Sequence, residues 1–266
     1  MKTKSLVTGA LVLSALAPAA SAKIVAKAVP YQSGDLQCEG FMAYDDKFTG
    51  KRPAVMIAHQ WLGLTAYEKT RAVQLASLGY VAFAVDLYGK GNAPKDTDEA
   101  GKMAGMLKNN RPLWRTRMND SLKALQGQDN VDAAKIDAIG YCLGGGSVLE
   151  LARSGADVKG VVSFHGTLDT PTPEDAKNIK GKVLVLHGAS DPFSPLPTVV
   201  ALSDEMTKAG KDFRIELYGG AVHSFTQPEA GNDPSKGAAY NAEADARSFQ
   251  AMAQFLDETI GDAANR

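Results

Sequence analysis

Phe213 to Tyr218 reads as the last strand, and before it short, largely apolar runs recur along the chain: Ala54 to Ala58, Tyr80 to Val85, Ile136 to Ile139, Val161 to Phe164 and Lys182 to Gly188. Runs this short, without polar alternation, predict strands buried on both faces. Between them the pattern changes to helical spacing. Trp114, Met118, Leu122 and Leu125 form one stripe, and Phe249, Met252, Leu256 and Ile260 form another. Thr65-Ala66-Tyr67-Glu68 has the form of a capping box and opens a helix that closes at Gly79. A weak helix is predicted around Glu99 to Lys108, where Gly101 and Gly105 lower the propensity, and Pro112 suits the start of the next. Further helices follow over Ser147 to Ala152 and from about Thr198 to near Gly210, with a Pro-rich connection from Thr170 to Asn178 between them. Ahead of all this, Ile24 to Tyr31 and Gln37 to Tyr44 read as two strands joined through Ser33-Gly34-Asp35. Strands alternating with helices imply one α/β domain, with a mostly parallel sheet covered on both faces by crossover helices.

In such sheets ligands bind outside the carboxyl ends of the strands. The most informative strand end is Ile139-Gly140-Tyr141-Cys142-Leu143-Gly144-Gly145-Gly146, where an apolar strand runs through Gly-x-Cys-x-Gly into a helix. This is the form of the nucleophile elbow of the α/β-hydrolase fold, with cysteine in the serine position. The turn is tight enough to require glycines, and the following helix aims free N–H groups and its positive end at the thiol. That field favours thiolate, the reactive form.

A thiolate attacking a carbonyl needs a base, a group that orients the base, and donors for the oxyanion. Elbow enzymes carry these in the order nucleophile, acid, histidine. Cys142, Asp191 and His223 stand in that order, each just past a different strand. His165 and His187 also lie at strand ends but not after the last strand, and Asp169 comes one strand too early to be the acid. The oxyanion donors expected are the backbone N–H of Leu143 and, from the loop after Ala58, that of Trp61. His59, Gln60, Lys90, Trp114 and Gln227 are pocket candidates, although Trp114 suits the core at least as well. No His-x-x-x-His or Cys-x-x-Cys spacing marks a metal site.

Composition adds little to the fold but bears on compartment. Lys2 and Lys4 precede an apolar segment from Leu6 to Pro18, and Ala20-Ser21-Ala22 follows, which predicts an export signal over residues 1–22 and a periplasmic or secreted protein. The formal net charge is −1, which gives no reason to expect nucleic acid or an anionic membrane as partner. Of the two cysteines, Cys38 reads as a small apolar side chain in an early strand, since a bridge to Cys142 would consume the nucleophile; the bridge is the minority alternative.

Gly140-Tyr141-Cys142-Leu143-Gly144-Gly145, Asp86-Leu87-Tyr88, His187-Gly188-x-x-Asp191 and Gly220-x-x-His223-Ser224-Phe225 together resemble the dienelactone hydrolase (carboxymethylenebutenolidase) family. The resemblance implies a Cys-Asp-His triad, a cofactor-free monomer, and hydrolysis of lactones or related esters. The chain departs from the family's pattern at three positions. Gln60 stands where members acting on dienelactone have a glutamate, and Lys90 and Gln227 stand where they have arginines for the substrate carboxylate. Lysine keeps the charge without the bidentate fork, and glutamine keeps only an amide. The expected activity is therefore hydrolysis of small esters or lactones other than dienelactone. Acyl transfer or thioester cleavage on the same triad, or a non-catalytic exported binding protein, are the alternatives.

Overall fold

The computed structural model describes residues 23–263, so the predicted export signal lies outside the described residues. Eight strands form one sheet in the order β1-β2-β4-β3-β5-β6-β7-β8. They are β1 (Ile24–Ser33), β2 (Leu36–Asp45), β3 (Arg52–Ala58), β4 (Val81–Ala84), β5 (Val131–Tyr141), β6 (Gly160–Phe164), β7 (Lys182–Gly188) and β8 (Phe213–Tyr218). β1 and β2 form an antiparallel hairpin, β2 runs antiparallel to β4, and every later pairing is parallel. The helices are α1 (Ala66–Ser77), α2 (Thr97–Lys108), α3 (Arg111–Gln126), α4 (Leu143–Arg153), α5 (Leu196–Lys208) and α6 (Ala242–Thr259). This is the α/β-hydrolase fold. The Pro-rich connection contains a 3-10 helix, Pro173–Asn178.

Alternation of side chains along each strand divides the core into two layers. Ala54, Met56 and Ala58 of β3 face a layer that includes Leu107, Trp114, Met118, Leu149 and Leu202, from α2, α3, α4 and α5. Val55 and Ile57 face the opposite layer, with Leu75 of α1 and Met252 and Phe255 of α6. All seven residues of β3 are buried, as an unalternated apolar run requires.

The capping box forms as the sequence predicts. Thr65 accepts from the Tyr67 N–H, and the Glu68 carboxylate accepts from the Thr65 N–H at 2.8 Å. The helix expected to be weak is complete, and Asp96 caps it by accepting from the Glu99 N–H at 2.8 Å. Nothing lies within 4 Å of a Cβ built on Gly101 or Gly105, so both glycines sit on its open side while Ala100, Ala104 and Leu107 carry the buried face. Among the described residues no helix is long and apolar enough to cross a membrane.

Candidate active site

β5 ends at Tyr141 and α4 begins at Leu143, leaving Cys142 alone to make the turn with φ +55° and ψ −114°. A non-glycine residue held there stores strain of order 1–3 kcal/mol, so its surroundings must fix it. The Cys142 N–H donates to the Phe164 carbonyl at 3.0 Å, while the Cys142 carbonyl accepts from the N–H groups of Gly145 (3.0 Å) and Thr167 (3.2 Å). Glycine is required by close approach. A Cβ on Gly140 would lie 2.0 Å from the Gly144 oxygen, and one on Gly144 would lie 2.1 Å from the Ala58 oxygen. The first turn of α4 therefore rests directly on the carboxyl end of β3.

Trp114 supports that turn from the core side. Its indole N–H donates to Ser147 Oγ at 2.8 Å, and the Ser147 hydroxyl donates to the Leu143 carbonyl at 3.0 Å. The side chain is fully buried, with 0% exposure, so the pocket role suggested for it is corrected: it packs under the elbow helix.

The acid and the base come from adjacent loops that are bonded to each other. Past β7, the Ser190 N–H donates to the Ala221 carbonyl at 3.0 Å. Past β8, the His223 N–H donates to Gly237 and its carbonyl accepts from Ala239, which anchors the base to the segment leading into α6. Asp191 Oδ1 accepts from the N–H groups of Phe193 (2.8 Å) and Ser194 (3.1 Å), leaving Oδ2 for His223 Nδ1 at 2.8 Å. His223 in turn faces Cys142 closely enough that each side chain shifts the other's titration. The structure thus brings Cys142, His223 and Asp191 into one connected line.

Their electrostatics follow from that line. Burial disfavours a charged His223, but the charge of Cys142 and the bonds to Asp191 and Cys142 outweigh it and hold its pKa up at about 10. Burial likewise opposes a Cys142 thiolate, yet the His223 charge, the His223 hydrogen bond and the Leu143 N–H bring the thiol below its ordinary value. Asp191 is lowered too, its burial overcome by His223 and by the Phe193 and Ser194 N–H groups. All three shifts act in the same direction, toward a charged pair of Cys142 and His223 beside an ionised Asp191.

Of the two expected oxyanion donors, Leu143 directly follows Cys142 and Trp61 lies in the loop after β3, the strand whose end the first turn of α4 touches. The Leu143 N–H faces the Cys142 sulfur and helps to lower its pKa. The Trp61 peptide is fixed by its carbonyl, which accepts from the Tyr88 hydroxyl at 2.9 Å, and its N–H meets no acceptor among the described residues.

The remaining candidates are distributed differently from the expectation. His59 is fully buried and both ring nitrogens are spent on backbone, Nδ1 with the Gln60 carbonyl (2.6 Å) and Nε2 accepting from the Leu87 N–H (3.1 Å). The idea that it touches substrate is corrected, because it ties the ends of β3 and β4 together. Gln60 is buried beside it, its N–H donating to Glu68. Lys90 points outward and pairs with Glu39 at 2.6 Å. Gln227 is buried, and its Nε2 has no hydrogen-bond partner in the protein. Asp169 is exposed and paired with Arg111 at 3.2 Å, away from any histidine.

Two neighbours of the base had no signal in the sequence. Phe193, 66% exposed, sets its ring 5.3 Å from that of His223. On the buried side His165 comes within 5.2 Å, centroid to centroid. Neither contact follows from spacing, since both depend on how separate loops fold back over the sheet. A cavity of about 790 Å³ forms a groove between the 3-10 helix and α5 that includes Leu168, Pro173, Ala201 and Lys208 but no residue of the Cys142–His223–Asp191 line.

Fold and elbow together define an α/β-hydrolase, and comparison with known proteins narrows the class. Residues 38–260 match the model of the dienelactone hydrolase family, and the chain belongs to that family. A putative carboxymethylenebutenolidase of Saccharolobus solfataricus is 28% identical, over 86% of this chain and 97% of its own. Among solved structures, a dienelactone hydrolase-like promiscuous phosphotriesterase from metagenomic libraries superposes with a TM-score of 0.84 at 38% identity, covering 90% of this chain and 99% of that one. Pyrococcus horikoshii acylaminoacyl peptidase shares the fold at 16% identity, with a TM-score of 0.70 over 90% of this chain and 42% of its own. The protein is a hydrolase of the dienelactone hydrolase family.

Proposed function

We propose that this hydrolase cleaves small neutral esters or lactones, with Cys142 as nucleophile, His223 as acid and base, and Asp191 as the carboxylate that orients His223. The observation that carries the reading is that Cys142, at a strained strand-to-helix turn, interacts with a His223 whose Nδ1 is bonded to Asp191 Oδ2 at 2.8 Å. The thiolate adds to the carbonyl carbon, and the displaced electron pair goes to the oxygen, which the Leu143 and Trp61 N–H groups stabilise. The intermediate collapses, the alkoxide takes the proton from His223, and an alcohol and a Cys142 thioester result. In a lactone the alcohol stays tethered to the acyl group. Neutral His223 then takes a proton from the attacking water, and the second collapse returns the thiolate and the imidazolium.

Neutral substrates are favoured because Lys90 is occupied by Glu39 and Gln227 carries no charge. The amide of Gln60, unlike a glutamate, cannot take the thiol proton, which supports the same resting thiolate. A second reading, attack of the thiolate on a phosphotriester, is favoured by the 38% identity to a structure described as a promiscuous phosphotriesterase.

A panel of p-nitrophenyl esters, lactones and a p-nitrophenyl phosphotriester, turned over by wild type and Cys142→Ala, tests both readings. Ester turnover with a covalent acyl adduct in the intact-protein mass, both lost in Cys142→Ala, is the expected result. Equal turnover by the two proteins would remove Cys142 from the mechanism, and turnover of the phosphotriester alone would favour the second reading.

A further inference from the structure

Among the described residues, three that are not glycine adopt a positive φ: Cys142 at +55°, Ser224 at +56° and His165 at +37°. The first is the proposed nucleophile and the second directly follows the proposed base. His165 takes no part in the chemistry above, yet its backbone is strained and its ring is wholly buried. Strain of that kind persists only where the surroundings enforce it, and it gathers at working sites.

The surroundings of His165 form a polar chain. Its Nε2 lies 2.8 Å from Thr226 Oγ1, which lies 2.7 Å from the Tyr67 hydroxyl oxygen. That oxygen accepts from Arg71 Nε at 3.2 Å, and Arg71 Nη2 donates to Asp245 at 2.6 Å. The chain runs from the α1–α6 contact inward to the ring that packs on His223, 5.2 Å away and inclined at 67°. His165 Nδ1 has no partner.

This arrangement keeps the His165 ring uncharged. If Nε2 donates to Thr226, a second proton must go to Nδ1, a buried nitrogen with nothing to bond. If Nε2 accepts from Thr226, protonating it breaks that bond. Either way a charge is costly in a buried site. The titratable and charged groups facing the ring are His223 from the loop after β8, His187 from β7, Tyr67 and Arg71 from α1, and Tyr141 from β5. No carboxylate bonds to either ring nitrogen. Burial, then the charges of His223, His187 and Arg71, hold the His165 pKa well below the usual histidine value.

We propose that His165 is a positioning residue for His223, its ring fixed by the Thr226–Tyr67–Arg71–Asp245 chain so that the imidazole keeps one orientation between Asp191 and Cys142. Like Asp191 it acts through His223, but by packing rather than by charge, and it leaves the Asp191 carboxylate to a single imidazolium. The proposal rests on the reading of Cys142 and His223 as the catalytic pair.

The test uses His165→Ala, which removes the ring, and Thr226→Val, which keeps the side-chain shape and removes the hydroxyl. Each is assayed for kcat and KM on an ester that wild type turns over, and for the pH midpoint of thiolate ultraviolet absorbance without substrate. A loosened His223 should lower kcat about tenfold or more in Thr226→Val while KM stays within about twofold. The thiolate midpoint should rise by about one pH unit, because the pair no longer holds its geometry. His165→Ala should change in the same direction and further, and Thr226→Ser should restore most of the loss. Variants that only melt earlier, with wild-type kcat and midpoint, would reduce His165 to a core residue and overturn the proposal. If His165→Ala does not fold, Thr226→Val decides alone. A wild-type titration with no Cys142-dependent transition below the free-thiol range would overturn the catalytic pair and this proposal with it. That failure is distinct because it appears before any change at His165 or Thr226.

Discussion

The protein carries two thiols in its sheet region, and their contrast shows what suits one of them to the nucleophile's role proposed for it. Cys38 lies inside β2, only 2% exposed, and its thiol donates to the Leu36 carbonyl at 3.8 Å. Burial, reinforced by the charge of Asp86, pushes that thiol up to about 11. Cys142 also resists ionisation through burial, yet its thiol lies below the ordinary value. The difference is that Cys142 has His223 on one side and a helix N-terminus on the other, whereas Cys38 has Arg117, opposed by burial and by the charges of Asp86 and Asp120. Burial alone makes a cysteine inert, and only a partner charge turns a dry site into a reactive one. Cys38 is free, so no bridge ties the two together.

Four experiments would break or sharpen this contrast. The largest effect is expected on turnover. Cys142→Ala should lower kcat by about a thousandfold or more, whereas Cys38→Ala should leave it unchanged, both read by steady-state ester hydrolysis. Asp191→Asn should come next, at about a hundredfold in kcat, because the imidazolium loses its charged partner while the hydrogen-bonding shape survives.

Chemical reactivity should separate the thiols by a smaller factor. At neutral pH, iodoacetamide should alkylate Cys142 at least about tenfold faster than Cys38, followed by peptide mass spectrometry. Comparable rates would mean that Cys142 is not held as a thiolate.

The smallest effects are expected in the pH dependence of stability. The pKa of His223 is raised, so its contribution is fully present below the free histidine value and disappears as pH climbs through about 10. That of Asp191 is lowered, so its contribution is present above the free carboxylate value and is lost as pH falls through the folded one. Cys38 has the opposite sense for an acid: above the free thiol value of about 8.5 the unfolded chain ionises and the folded one does not, so it costs stability up to about 11. Urea midpoints should therefore show Cys38→Val gaining on wild type across that alkaline window and matching it below. A constant offset at every pH would count against the buried neutral thiol.

How much of this was legible beforehand differs between local and long-range features. The strand at Ala54 to Ala58, the capping box at Thr65 and the elbow at Cys142 are each written in contiguous residues, and the structure shows the strand, the cap and the turn where the pattern put them. The order Cys142, Asp191, His223 pointed to three loops because parallel strands send all their carboxyl ends to one side. His59 was misread, and Trp114 was left open between core and pocket, for a common reason. A polar or aromatic side chain next to a site motif looks like a pocket residue until its partners are known, and here those partners are backbone groups of Gln60 and Leu87, and Ser147.

The sequence by itself determined the alternation of strands and helices, the hairpin, the glycines of the elbow and the residue types able to perform nucleophilic acyl transfer. These depend on neighbours within a few positions, where sterics and hydrogen-bond geometry are local. Only the tertiary structure decided that Lys90 is spent on Glu39, that Phe193 and His165 both reach the ring of His223, and that a chain from Asp245 ends at His165. Those contacts join residues far apart in sequence, and chain folding sets their distances. For the same reason the two cysteines end with opposite shifts: the sequence names each thiol, and the groups that fold around it set its charge.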